Sequence, residues 1–92
     1  MRRYYSHHAY IYPDTYLSNH IVELDTEGRV SCYFPFEREV EKTEFYSGVI
    51  LFLPMFVLAD TSLIDKLEET VKNKYSKDSV MNVEMVEIVC NE

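Results

Sequence analysis

The sequence predicts an α+β domain: a mostly antiparallel β-sheet, or small β-sandwich, of about five strands with one packed helix over about 62–75. Three observations carry that prediction. Residues 3–25 read as two β-rich runs around the turn residues Pro13 and Asp14. Val49 to Leu53 is apolar without a break, as in a strand buried on both faces. Leu63, Ile64, Leu67 and Val71 recur at helical spacing.

Taken in order, "RYYSHHAYIY" (3–12) is the first strand and "YLSNHIVELD" (16–25) its return. "DTEGR" supplies a tight turn in which Gly28 takes positive φ. "RVSCYFPF" (29–36) forms the third strand, with pairing limited near Pro35. "EREVEKTE" (37–44) is a polar connector, and a fourth strand over about 44–53 completes a meander spanning 3–53. Asp60, Thr61 and Ser62 can each cap the helix, and Glu68 and Lys72 sit four apart on its outer face. "KDS" breaks the helix, and a last strand follows over 80–90, with an apolar phase shift between Val83 and Val86.

At 92 residues, 1–92 is one domain, and 47% apolar residues are enough for a packed core. The formal charge of −7 opposes phosphate backbones and anionic lipid, so neither nucleic acid nor a membrane is an expected partner. The apolar run Val49–Ala59 is too short to span a bilayer, and residues 1–13 hold no apolar signal-peptide core. Cys32 and Cys90 form no metal knuckle or redox pair, though a disulfide between them stays open. A cytoplasmic location is the expectation.

Two candidate sites emerge. If Pro13-Asp14-Thr15 is the loop, Tyr12 pairs with Tyr16 and His8 falls across from His20, close enough for both to ligate one metal ion. A slip in register removes that pair. Tyr4, Tyr10, Tyr12 and Tyr16, with Tyr5 among them, crowd one hairpin and offer an aromatic interaction surface for a partner or a second copy. Cross-strand aromatic pairing within the fold is the alternative use of the same residues. Glu37, Glu39, Glu41 and Glu44 alternate with Arg38 and Lys42 and read as a solvated run. No nucleophile elbow or phosphate loop is present, and no cofactor is expected.

Residues 9–51 also resemble the N-terminal β-domain of the amidohydrolase (metallo-dependent hydrolase) superfamily. The resemblance rests on Leu17–Asn19 as an "L-x-N" entry, on "IVELDTEGRV" as the turn-bearing hairpin, and on "EFYSGVIL" as the strand that feeds the barrel. In that family this strand runs on to a "P-G-F-I-D-x-H-x-H" motif whose histidines bind the catalytic metal. Here "LPMFVLAD" (53–60) takes its place, Leu58 and Asp60 stand where the histidines belong, and too few residues follow for a (β/α)₈ barrel. The resemblance therefore implies an accessory domain without amidohydrolase activity. The expected function is a non-catalytic interaction or oligomerisation module. The alternatives are a small-molecule or metal-binding module using His8 and His20, or a small subunit of a separately encoded barrel.

Overall fold

The computed structural model describes residues 2–76 and 86–90. Its strands are β1 (Arg2–Ile11), β2 (Thr15–Leu24), β3 (Val30–Pro35), β4 (Thr43–Leu53) and β5 (Val86–Cys90). Helices α1 (Met55–Leu58) and α2 (Thr61–Ser76) lie between β4 and β5. The α+β class is as expected, but the meander is not. β4 leaves β3 behind and pairs with β1, in parallel, and β5 pairs in parallel with β4. One mixed sheet of order β3-β2-β1-β4-β5 results among the described residues, in place of a mostly antiparallel sheet or a sandwich.

The physical reason lies in the apolar run. Val49, Leu51 and Leu53 bury themselves on the α2 side, while Ile50 and Phe52 enter a separate cluster on the other. A strand buried on both faces gains most from a central place, and β4 holds one between β1 and β5. A parallel partner then requires a crossover, which the helical segment provides. That segment holds a second, four-residue helix, α1, beyond the one predicted, because Pro54 suits the entry to a helical turn. α2 begins where the Asp60 carboxylate accepts the Leu63 N–H at 3.1 Å. Its stripe of Leu63, Ile64, Leu67 and Val71 packs on the sheet, extended by Tyr75. Of the predicted strand over 80–90, 86–90 is strand, and the "KDS" break and the Val83–Val86 phase shift lie outside the described residues.

The sheet is sharply bent. Tyr4 pairs with Glu44 on β4, yet its ring centroid lies 5.9 Å from that of Phe52, eight positions further along the same strand. A straight strand would separate those positions by roughly 26 Å, beyond the reach of two aromatic side chains. One face is therefore folded inward around Tyr4, Ala9, Ile11, Val22, Leu24, Ile50 and Phe52. The bend coincides with a slip of alternation in two strands. Tyr4 on β1 shares this concave cluster with Ala9 and Ile11, and Val22 and Leu24 on β2 share it with Leu17. Asn19, at φ 61°, marks the slip on β2, and the β1/β4 register shifts between Ser6 and His8. Asn tolerates the left-handed region better than most residues.

Candidate functional site

The hairpin register decides the first candidate. The loop is Tyr12-Pro13-Asp14, with a cis peptide before Pro13, and Ile11 pairs with Thr15. Counting from there places His8 opposite Ser18 and His20 opposite Ser6. The expected His8/His20 pair is therefore corrected by a two-residue offset in register. Each histidine has a different neighbour. His8 Nδ1 lies 3.3 Å from the Ser18 hydroxyl, and its ring stacks on Tyr75 at 4.1 Å. His20 Nδ1 lies 2.8 Å from the Ser18 carbonyl, and its ring meets Tyr33 edge-on at 6.2 Å. Among the described residues, no group of three or more His, Cys, Asp and Glu side chains could hold a metal ion.

The His8 environment is a structural seam. Tyr75, only 5% exposed, directs its hydroxyl at the Ala9 carbonyl (2.8 Å) and the Leu17 carbonyl (2.7 Å), so one proton is shared between adjacent strands. Burial pushes the Tyr75 phenol up to about 12, against the opposing pull of those bonds. Burial also lowers the His8 pKa, assisted by neighbouring His7. His8 Nε2 is buried without a hydrogen-bond partner, a tolerable state for a bare acceptor and a poor one for an N–H⁺.

The tyrosine surface is corrected too. Tyr4 and Tyr10 are 2% and 1% exposed, Tyr4 inside the bend and Tyr10 beneath α2. Burial raises both phenol pKa values, Tyr10 to about 12; for Tyr4, Arg2 opposes the rise and Glu44 adds to it. The Tyr10 hydroxyl donates to the Pro13 carbonyl. Tyr12 and Tyr16 are half-buried against the α2 cluster, Tyr12 beside Phe56 and Tyr16 under the Lys74 ammonium at 4.5 Å. Helix α2 packs over Tyr10, Tyr12 and Tyr16, and the bend encloses Tyr4.

A different aromatic group remains outside. Tyr5 alternates with buried Tyr4, so it projects from the convex face, opposite Ile21 and Phe45. Its ring lies 4.8 Å from Phe36 and 5.4 Å from Phe45, Phe36 and Phe45 are 6.2 Å apart, and His7 flanks Tyr5 at 5.9 Å. Phe45 is 51% exposed. The Tyr5 hydroxyl donates to Asn19 Oδ1, and the Phe36 N–H donates to the Asn19 carbonyl at 2.9 Å, tying the cluster to the slip residue. Beside it Arg3 Nε meets Glu23 Oε2 at 2.9 Å in a largely shielded ion pair. Phe36 and Phe45 went unassigned in the sequence, although they bracket the polar connector, and that bracketing was the available signal.

Two further features stand apart from this cluster. Met55 and Phe56 on α1 are 57% and 67% exposed. An open groove of about 250 Å³ runs along α2 beside Asp65, Glu68, Glu69, Lys72 and Asn73, the solvated side of that helix. Among the described residues no helix is long and apolar enough to cross a membrane.

Comparison with known proteins finds no matching family model, no matching curated protein and no matching solved structure. The resemblance to the amidohydrolase β-domain rests on the quoted residues alone.

Proposed function

We propose that this chain is a non-catalytic interaction module whose contact surface is the convex face at Tyr5, Phe36 and Phe45. One observation carries the reading: three aromatic rings in mutual contact stand outside the apolar cluster that α2 packs against, and Phe45 leaves half its surface in water. Aromatic side chains supply large contact area at low entropic cost, which is why they concentrate in recognition surfaces. In this reading the tyrosines of the hairpin build the platform, and an origin in an amidohydrolase accessory domain accounts for the "L-x-N" entry and the "D-x-x-G-R" turn without requiring a barrel.

Two separated histidines lend a metal module no support, since one His offers a single ligand where a stable site needs several. Size-exclusion chromatography with light scattering, run on the wild type and on Phe45→Ser, tests the reading for self-association; chemical-shift mapping with an added peptide tests it for a partner. Absence of both self-association and a surface response at Phe45 would refute it.

A further inference from the structure

Resting on the interaction-module reading, we infer that the convex face takes a cationic segment of a partner protein, one that carries apolar side chains between its positive charges. The argument begins with chain closure. Phe36 and Phe45 touch, at 6.2 Å between centroids, so residues 37–42 and the first two residues of β4 form a segment anchored at both ends in the aromatic cluster. That segment carries Glu37, Glu39 and Glu41 against Arg38 and Lys42, all five exposed, while Glu44 alternates with Phe45 and lies beside Tyr4 and Arg2 on the other face. The rim of the cluster is net negative. The loop is held in place, because Arg3 Nη1 donates to the Glu41 carbonyl at 3.3 Å and the Thr43 hydroxyl donates to the Val40 carbonyl at 2.8 Å.

Among the described residues, the centre of the face carries no offsetting free cation. Arg3 is committed to Glu23. Arg2 and Glu44 approach only to 3.9 Å, and both are well exposed. The three rings lie too near one another to hold an ammonium between them, but Phe45, half in water, leaves ring surface open to cation–π contact, strongest where water is partly excluded. A lysine or arginine on a partner would meet ring faces at the centre and carboxylates at the rim, while its apolar neighbours cover Phe45. A second copy fits less well, because it brings the same acidic rim and the same charge of −7 against itself.

The test uses the whole chain, isotope-labelled for NMR, and two pentapeptides as probes: alternating lysine and phenylalanine, and alternating glutamate and phenylalanine. The expected result is a saturable shift response at Tyr5, Phe36, Phe45 and residues 37–44 with the lysine peptide and none with the glutamate peptide. Affinity should fall about tenfold in Phe45→Ser, as for an interface anchor. It should fall further with added salt, and the exposed pair Glu39→Lys with Glu41→Lys should reverse the preference between peptides. A response centred on Asp65, Glu68 and Glu69 of α2 would overturn the inference by showing indiscriminate charge pairing. Equal binding of both peptides at Phe45 would overturn the cationic partner and leave the interaction module standing. A dimer lost in Phe45→Ser, without peptide binding, would do the same in favour of a second copy. Absence of any response in the wild type would remove both.

Discussion

The rings of Tyr4 and Phe52 lie 5.9 Å apart although Tyr4 pairs with Glu44 and Phe52 belongs eight positions further along β4. That contact closes the bend, and the bend divides the aromatic residues into those that build the core and those left outside. The proposed contact surface depends on it: the convex cluster is presented because the concave one is filled.

Truncating Phe52, which is fully buried, should therefore be severe. Phe52→Ala is expected to lower stability by about 3–5 kcal/mol through lost burial and a residual cavity. Phe45→Ala, half in water, should cost about 1 kcal/mol or less. Urea denaturation of the two variants side by side measures the difference.

Tyr75 fastens α2 to the two strands just beyond the slip. Tyr75→Phe keeps the ring and leaves the Ala9 and Leu17 carbonyls without that donor, at an expected loss of about 1–3 kcal/mol. Tyr75 and Tyr10 each have phenol pKa values raised from 10.0 to about 12 by burial. The folded state holds those protons more tightly, so its stability is intact below pH 10 and declines from there through about pH 12. Ultraviolet titration of tyrosinate should show the unfolding transition and the late ionisation of these phenols moving together.

His8 acts in the opposite pH range. Its folded pKa is lowered from 6.5 by burial and by His7, so the unfolded chain binds the proton more readily. Stability is then full above the unfolded value and falls as acid carries the solution down through the folded one. NMR titration of the imidazole should place His8 below the ordinary histidine value, and His8→Phe should remove its share of the acid sensitivity. A His8 midpoint above 6.5 would contradict this environment.

The loop between β2 and β3 behaves as its composition dictates. Asp25 Oδ1 accepts the N–H groups of Arg29 at 3.0 Å and Glu27 at 2.9 Å, which, with the Arg29 bond foremost, holds its carboxyl below the usual range. Gly28 sits at φ 84° with open space around a would-be Cβ, so Gly28→Ala should cost about 1–2 kcal/mol from backbone conformation alone. Thermal unfolding checks it, with Gly28→Asn as the milder change.

Local chemistry was the legible part of this sequence. The Asp25–Gly28 turn, the Asp60 cap, the α2 stripe and the doubly buried run at 49–53 all follow from neighbouring residues. Long-range pairing was not legible. Nothing near β4 in sequence states that it joins β1 in parallel, and nothing local reveals that alternation slips at His7 and Asn19. Those two facts buried Tyr4 and Tyr10 and brought Phe36 and Phe45 together across the connector. A loop assignment displaced by one residue moved every cross-strand pair by two. The sites built on that register moved with it.

Calorimetric titration of the alternating lysine–phenylalanine peptide into wild type, Phe45→Ser and Phe56→Ser compares the convex face with another exposed phenylalanine at equal chemistry. Binding weakened about tenfold in Phe45→Ser, with Phe56→Ser close to wild type, is the expected result. Binding unaffected by Phe45→Ser, or lost in Phe56→Ser instead, would contradict the convex face as the contact surface.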